Sequence, residues 1–490
     1  MIIREDIPKE VVAVADSLEG AGFEAYLVGG CVRDLLLGRT PKDWDLTTNA
    51  KPEEIQALFP ETYCNNDYGT VGVVNEETTD LRLKVVEVTP YRSEGEYSDR
   101  RRPDKVEFGV SLEEDLKRRD FTVNALAYRP KDEKFVDLFD GEGDLRKKRL
   151  KTVGNPDERF GEDALRMMRA IRLAAELNFA IEAETMASIA KNAELLSHIS
   201  TERIRDEFLR IINSESPMLG LAMLEKLGLL QYVLPELRDA IGCEQGGIHA
   251  YDVYEHLLRS LQAAADKGYS TEMRLAALLH DIGKPITRRE GGKNKRYTFF
   301  GHEVVGARMT AKLMKRLKMP VEIANGVEIL VRWHMFFADP DAITLSAVRR
   351  TIARVGEENM EDLLNLRVCD RIGTGRPKEQ PFRFRKYKAM VDQARRDPVS
   401  VKMLKTDGDK IMVQTGEKPG KKLGYLLHAL LEEVLEDPAR NTEEYLDNRV
   451  AELIKLDEGS LKELGEAGKE RQQAEEEAAI KEIERSHKVG

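Results

Sequence analysis

The apolar residues of this chain change their spacing once, and that change limits the fold more than any single motif. Up to about residue 140 they come in short β-branched runs broken by Gly, Asn or charge: "FEAYLVGG", "DWDLTT", "VGVVN", "LRLKVVEVTPY" and "FTVNALAY". From about Phe160 they recur every three or four positions, as in "EDALRMMRAIRLAAEL", and the pattern stays helical almost to the end. The chain therefore reads as an α+β N-terminal part, a small mixed sheet with helices, followed by a mostly α-helical body. At 490 residues it is too long for one hydrophobic core. Stretches of charge, Gly and Pro at "RKKRLKTVGNPDERF", "IGCEQGGIHAYD" and "GTGRPKEQPFRFRKY" divide it into 1–150, 151–240, 241–375 and 376–490. The last thirty residues, with "KERQQAEEEAAIKEIERSHK", carry so much charge that only a solvated helix is expected there. No internal repeat is visible.

Composition narrows the class. With 41% hydrophobic and 34% charged residues the chain is expected to be globular and soluble. Its apolar runs fall short of the roughly 18–20 residues that span a bilayer. The start, "MIIREDIPKE", has no apolar signal-peptide core. Cys31, Cys64, Cys243 and Cys369 show no CxxC spacing, so thiols in a reducing cytoplasm are expected. A net charge of −11 excludes a global basic field, so a nucleic-acid site has to be a local patch.

Within "YLVGGCVRDLLLGRTPKDWDLTTNA", a segment otherwise suited to burial holds two acids. Residues i and i+2 of a strand share a face, so Asp43 and Asp45 are expected side by side, with Trp44 and Leu46 turned to the core. Two like charges that close call for a cation between them. Hard divalent ions take oxygen ligands, and a pair of Mg²⁺ ions is the usual arrangement for displacement at phosphorus. Glu87, an acid inside the apolar "VVEVT", is the candidate third carboxylate. Gly29 and Gly30 end a strand directly before a helix, where backbone N–H groups can approach a phosphate chain.

The order of glycine pair, DxD and flanked acid resembles the polymerase-β-like nucleotidyltransferase superfamily. Over residues 20–235, "LVGGCVRDLLLG…KDWDLTTNA", "LKRRDFTVNALAY" and "GEDALRMMRAIRLAAELNF" together resemble the bacterial-type (class II) tRNA nucleotidyltransferases, the CCA-adding enzymes. The resemblance implies that Asp43 and Asp45 hold two Mg²⁺ ions as catalytic residues, and that Gly29, Gly30, Arg33 and Asp34 surround the triphosphate. It places Arg119, Asp120 and Asn124 on the nucleotide, Asp120 near the ribose hydroxyl. Glu162, Asp163 and Arg166 of "EDALR" match the EDxxR motif, and Arg169 is grouped with them. The implied reaction is in-line attack of a tRNA 3′-hydroxyl on the α-phosphorus of CTP or ATP, releasing pyrophosphate. On a helix, Asp163 and Arg166 would share a face. The Watson–Crick edges of C and A each show an amino donor beside a ring-nitrogen acceptor, which a carboxylate and an arginine complement. Uracil and guanine reverse that order and leave both partners mismatched.

The segment "EGEYSDRRRPDKVEFG" resembles the loop that CCA-adding and A-adding members keep. "YCNNDYGTVGVV" lacks the arginine-rich "RRFRLxHV"-type segment of bacterial poly(A) polymerases. Full CCA addition is the expectation. A-addition to tRNA ending in CC, poly(A) synthesis and a regulatory nucleotidyltransferase–hydrolase are the alternatives. One departure from the family stands out: its glycine pair after the sheet reads Asp140-Gly141. The basic runs "DRRRPDK", "RKKRLK", "PFRFRKYK" and "KPGKK" are candidate tRNA contacts, with Arg383, Arg385, Lys386, Lys388, Lys421 and Lys422 chosen from the last two. In the third run Phe382, Phe384 and Tyr387 are interleaved for stacking. The sequence leaves monomer or homodimer open.

A second motif lies in the middle. "RLAALLHDIGKP" places His280 and Asp281 on a helix in a manner that resembles HD-domain metallophosphohydrolases. The resemblance calls for an upstream histidine and a downstream aspartate, for which His256 and Asp370 are the candidates. His302 and His334 can serve a second metal. Imidazole with carboxylate suits Mn²⁺ or Ni²⁺ as well as Mg²⁺. The resemblance implies phosphohydrolase activity in repair of tRNA 3′ ends, and a metal-free scaffold is the alternative.

Overall fold

The computed structural model describes residues 2–64, 69–94, 106–246, 250–290, 297–336, 343–376 and 378–464. Most of the "EGEYSDRRRPDKVEFG" loop, residues 65–68 of the "YCNNDYGTVGVV" stretch and the charged C terminus lie outside them. The chain separates into two compact units, Met1–Leu234 and Pro235–Gly490.

The first unit is built on a sheet. Helix α1 (Lys9–Gly20) precedes β1 (Ala25–Val28), and α2 (Gly30–Leu36) leads to β2 (Asp45–Thr48). Then come α3 (Pro52–Leu58), β3 (Thr62–Cys64), β4 (Val71–Val74) and β5 (Val85–Pro90). A separate hairpin, β6 (Arg92–Glu94) with β7 (Val106–Phe108), and α4 (Leu112–Lys117) precede β8 (Leu126–Arg129) and β9 (Lys134–Asp137). Among the described residues the main sheet has the order β3-β4-β5-β2-β1-β8-β9. Only β2 and β5 run parallel, so the sheet is mixed, as expected. Every residue of β1 is buried, which is why "AYLV" carries no polar alternation. One face packs Tyr26, Val28 and Ala127 against Leu116 of α4 and Tyr91.

Beyond the sheet the first unit becomes helical, with α5 (Gly141–Arg146), α6 (Pro156–Glu162), α7 (Leu165–Leu177), α8 (Ala183–Asn192) and α9 (Thr201–Ile212). Helix α7 is buried nearly all round, including Met167, Met168, Ala170, Ile171, Leu173, Ala174 and Ala175, and α9 packs along it. Among the described residues the second unit is helical apart from one short antiparallel strand pair, Arg289–Glu290 with Tyr297–Thr298. Its principal helices are Val253–Asp266, Thr271–Leu279, His302–Arg316, Val321–Trp333, Met360–Gly373, Phe382–Ala394 and Lys421–Glu436. Among the described residues no helix is long and apolar enough to cross a membrane, and no disulfide joins the four cysteines.

The departure at Asp140-Gly141 has a geometric explanation. Asp140 lies in the left-handed region at φ 59° and ψ 35°, a conformation that glycine adopts freely and that Asp tolerates better than most residues. Gly141 is required for space: a Cβ there would stand 2.3 Å from the Thr122 carbonyl oxygen. We therefore expect Asp140→Gly to raise stability by up to about 1 kcal/mol. Gly141→Ala should cost about 3 kcal/mol through displacement of the turn that holds Asn124. Urea denaturation of both variants checks this; equal effects would contradict it.

Candidate functional site

The head site gathers at the ends of β1, β2 and β5. Gly29 caps α2 at φ 80°, and a Cβ on it would press on Arg119 Nη1 at 3.2 Å. The parallel register sets Asp45 opposite Glu87. Asp45 is pushed up to about 7, first by burial and then by the charges of Asp43 and Glu87, with Arg119 acting the other way. Glu87 is also raised, by burial and by Asp43. Three carboxylates thus repel one another at one end of a strand pair, and the hard oxygen donors fit a divalent cation. Around them, Arg33 donates to Asp34 at 2.9 Å and to Asn124 Oδ1 at 2.8 Å. Arg119 is held by buried Asp115 at 3.2 Å.

Asp120 joins this head to the helices behind it. It is buried and accepts from the Phe121 N–H at 2.8 Å, from Asn124 Nδ2 at 3.1 Å and, at Oδ2, from Arg169 Nε and Nη2 at 2.9 and 2.7 Å. Burial works against its charge, but Arg169 and these hydrogen bonds hold its carboxyl well below the usual range. Arg169 Nη1 lies 4.0 Å from Glu207 Oε1, and Arg172 Nε lies 3.3 Å from Glu207 Oε2. Nearby, Arg166 is buried, pairs with Glu162 and donates to the Arg159 carbonyl at 3.1 Å. Asp163 pairs with Arg203 at 2.7 Å.

The second unit assembles its own cluster. His256 Nε2 and His280 Nε2 stand 3.1 Å apart, as do His302 Nε2 and His334 Nε2. Asp281 divides its oxygens between the pairs. Oδ2 lies 3.2 Å from His256 and 3.4 Å from His280, while Oδ1 lies 3.1 Å from His302 and 3.5 Å from His334. Asp370 Oδ1 adds to the first pair at 3.5 Å from His256. His280, His302 and His334 each direct Nδ1 to a backbone carbonyl, at 3.0 Å to Ala277, 2.7 Å to Phe299 and 2.7 Å to Val331. A neutral ring that donates from Nδ1 presents a lone pair at Nε2. In the His302–His334 pair two acceptors therefore face each other at 3.1 Å, and a cation between them resolves the conflict. Burial alone would depress His280, but Asp281 and Asp370 leave it raised; His334 is lowered by burial and by its histidine neighbours. Asp281 is held well below the carboxylate range and Asp370 at about 2. Lys284 Nζ also reaches Asp281 Oδ2 at 2.5 Å and Gln245 Oε1 at 2.6 Å.

Comparison with known proteins finds matches along most of the chain. Residues 25–151 match the model for the Poly A polymerase head domain, 178–241 the probable RNA and SrmB-binding site of polymerase A, and 253–372 the HD domain. The CCA-adding enzyme of Levilactobacillus brevis is 34% identical over 86% of this chain and 93% of its own length. That of Ligilactobacillus salivarius is 33% identical over 92% and 99%. The chain belongs to the CCA-adding enzyme family. A crystal structure of the Bacillus stearothermophilus CCA-adding enzyme in complex with CTP superimposes with a TM-score of 0.68 at 28% identity, over 91% of this chain and 96% of that one.

Against the sequence expectations for a CCA-adding enzyme, four placements differ. Asp43 is not in a strand: β2 begins at Asp45, and Asp43 sits in the bend after Pro41. Trp44 and Leu46 are nonetheless buried, and the Trp44 carbonyl accepts from the Glu87 N–H at 3.0 Å. Asp163 and Arg166 do not share a helix. The backbone is extended at Asp163 (φ −141°, ψ 105°), which ends α6, and Asp163 Oδ1 instead accepts from the Leu165 N–H at 3.1 Å. His280 and Asp281 follow the helix Thr271–Leu279 in a turn that leads into the short helix Lys284–Thr287, with Pro285 in its first turn. In the tail, Phe384 and Tyr387 are buried, since helical spacing puts them with Val391 and Ala394 on the packed face. Phe382, Arg383, Arg385 and Lys386 face outward, Lys388 is half-buried, Lys421 is exposed, and Lys422 pairs with Glu417 at 3.3 Å. Sequence reasoning missed Asp115, Arg203, Glu207 and Lys284. The one available signal was acid–base spacing of three or four on helices that otherwise bury apolar residues, as in "STERIRDEF" and "LEEDLKRR".

The carboxylate cluster predicts a pH dependence. Asp45 titrates near 7 in the folded protein and near 3.8 when unfolded, so its charge penalty is absent below pH 3.8 and complete above about pH 7. In chelator, Asp45→Asn should therefore gain on the wild type between pH 5 and pH 8, by at most about 4 kcal/mol. Denaturation midpoints that stay parallel across that range would contradict the arrangement.

Proposed function

We propose that this chain adds C, C and A to the 3′ end of tRNA from CTP and ATP, with release of pyrophosphate, in the cytoplasm. The observation that carries the reading is the convergence, within one compact unit, of the Asp43–Asp45–Glu87 carboxylates, the Asp120–Arg169 pair and the Asp163–Arg166 segment. Membership of the CCA-adding enzyme family supports it. Asp43 and Asp45 would hold two Mg²⁺ ions, which when bound supply charge stabilisation at phosphorus. Arg33, with Asp34 beside it, and the backbone at Gly29 and Gly30 take the triphosphate. Arg119 and Asn124 position the nucleotide, and Asp120 orders the ribose side through Arg169. Asp163 offers an acceptor, and Arg166, oriented by Glu162, a donor to the base edge. The parts act as a head (1–150), a neck (151–240), an HD segment (241–375) and a tail (376–490). In the tail, Arg383, Arg385, Lys386 and Lys388 on one helix contact tRNA phosphates. Lys421 and Lys422 stand at the first turn of another helix, where the helix dipole disfavours cations; that placement suits an anionic partner.

Three transcripts, ending before CCA, at CC and at CCA, test this with labelled CTP and ATP. Full CCA addition extends the first two and stops. A-addition would extend only the second, and poly(A) synthesis would extend all three with many adenylates. Asp43→Ala and Asp45→Ala should each reduce incorporation to under a few per cent, roughly the effect of losing more than 2 kcal/mol of transition-state stabilisation. Activity retained by either variant would remove the two-ion assignment.

A second activity, hydrolysis of phosphate esters, is favoured by the facing histidine pairs. His256, His280, Asp281 and Asp370 would hold one ion, and His302 and His334, sharing Asp281, another; a bound divalent ion there supplies Lewis acidity. A cavity of about 420 Å³ opens over Asp281, His302 and His334 and is edged by Lys284, Arg367, Arg371 and Arg376, which suit an anionic substrate. Metal analysis should find a divalent ion, Mn²⁺ or Ni²⁺ held more tightly than Mg²⁺. Asp281→Ala should abolish ion uptake and hydrolysis of tRNA bearing a 2′,3′-cyclic phosphate, while leaving CCA addition intact. A wild-type preparation that takes up no ion and hydrolyses neither that substrate nor a 2′-nucleotide would reduce the cluster to scaffold.

A further inference from the structure

We infer that the cavity of the second unit is built for a nucleotide with two phosphate groups, one for the ions and one for Arg371 and Arg376. This rests on the reading of the histidine cluster as a phosphohydrolase site, and it names the class of substrate.

The second phosphate is called for by cations that nothing else in the cavity answers. Arg367, Arg371 and Arg376 all line the cavity over Asp281, His302 and His334. One cation near a helix C terminus is ordinary, because the last carbonyls face it. Three on one rim are not. Arg367 and Arg371 stand four apart on the helix Met360–Gly373, where like charges destabilise a helix. Arg367 has its carboxylate: Nη1 lies 2.5 Å from Asp370 Oδ2, while Asp370 Oδ1 faces His256 at 3.5 Å. Arg371 and Arg376 have no carboxylate partner among the described residues. An arginine fork matches a phosphate through two parallel hydrogen bonds.

The backbone brings Arg376 to this rim. The helix closes with the Thr374 N–H on the Asp370 carbonyl at 3.0 Å and the Gly375 N–H on the Ile372 carbonyl at 2.9 Å. Gly375 then turns at φ 78°, which a residue with a Cβ rarely adopts. Arg371 Nε donates to the Lys378 carbonyl and ties the returning segment to the helix.

At about 420 Å³ the cavity has the size of a small-molecule site, more than one phosphate needs. Phe300 lines it and is 80% exposed. The neighbouring rings of Tyr297 and Phe299 lie under the protein's own cations, Arg288 at 3.7 Å and Lys284 at 5.5 Å. Phe300 carries no such cation among the described residues. A large exposed ring beside arginines suits a stacked base. Hydrolysis takes one water: its oxygen bonds to phosphorus, one P–O ester bond breaks, and a proton passes to the ribose oxygen released. The second phosphate stays unchanged and serves as the handle. A free nucleotide with a 5′-phosphate and the 3′ end of an RNA chain both present this pair of groups.

The test gives the full chain three probes with Mn²⁺: adenosine 2′,3′-cyclic phosphate, its 5′-phosphorylated form, and the dinucleotide CpA ending in a 2′,3′-cyclic phosphate. A second phosphate should raise kcat/KM about tenfold or more, mostly through KM. Preference for the 5′-monoester identifies a free nucleotide as the source, and preference for the dinucleotide an RNA end. Arg376→Ala and Arg371→Ala should each bring one- and two-phosphate probes level. Arg376→Ala is the cleaner variant, because Arg371 also holds Lys378. Lys312→Ala removes an exposed cation outside the cavity and should keep the preference, which separates contact from bulk charge. Phe300→Ala should raise KM for every probe about tenfold; an unchanged KM would overturn the stacked base. Calorimetry in chelator reads the same subsite without turnover. Adenosine 3′,5′-bisphosphate should bind more tightly than adenosine 5′-phosphate, and the part of that gain lost in Arg376→Ala belongs to this cavity. If no probe is hydrolysed while that gain persists, the phosphohydrolase reading fails and the two-phosphate site stands. Hydrolysis with equal kcat/KM for all three probes, or a preference retained by Arg376→Ala, overturns the inference and leaves the phosphohydrolase reading in place.

Discussion

Most of the first unit's geometry depends on one buried ion pair. Asp120 leaves the sheet-bearing half of the unit just before β8, and Arg169 projects from the middle of α7. Their fork is buried at the carboxylate end and continues in both directions. Toward the sheet it runs through Asn124 to Arg33 on α2, and toward the helices it runs to Glu207 on α9 and Arg172. Removing one member of such a pair leaves an uncompensated buried charge, which typically costs roughly 3–5 kcal/mol. The pair therefore fixes the distance between the carboxylates at the sheet and the Asp163–Arg166 segment on the helices.

The two candidate metal sites answer one electrostatic question with different atoms. In the head, three carboxylates converge, and burial together with the charge of Asp43 raises the proton affinity of Asp45 and Glu87. In the second unit, the His302 and His334 imidazoles present lone pairs to each other beside the carboxylate that they share with a second histidine pair. Oxygen-only donors suit hard ions, and nitrogen-rich donors suit softer ones. One chain can thus keep two divalent-ion chemistries apart by ligand type, each in its own compact unit.

Much of this was legible in the sequence. The change of hydrophobic period marked the passage from sheet to helices, and the buried strands β1, β2, β5 and β8 fell on the expected runs. The six residues named for the second motif do come together in the structure, and they stood out because histidine is scarce in this chain, with 8 in 490 residues. What failed was local backbone detail. "KDWDL" alternates like a strand, but pairing with β5 starts only at Trp44–Asp45, so Asp43 is left in the bend. "GEDALRMM" has unbroken helical spacing, yet Asp163 turns its side chain to cap the following helix and splits the run in two. Phe384 and Tyr387 looked like stacking partners because they alternate with arginines, and a period of 3.6 buried them instead. The supports, Arg203 and Glu207, carry only a local signal, their spacing of four on one helix; their partners lie 40 residues and about as many away, and no spacing rule reaches that far.

Arg203 and Glu207 stand one turn apart on α9, and each holds a different part of the site: the first reaches Asp163, the second Arg169 and Arg172. The helix is consequently a unit of inheritance. A change that rotates or shifts α9 moves both supports together, so drift at one position has to be matched at the other and at their distant partners. Divergence along this helix is then expected to proceed by paired substitutions more readily than by single steps.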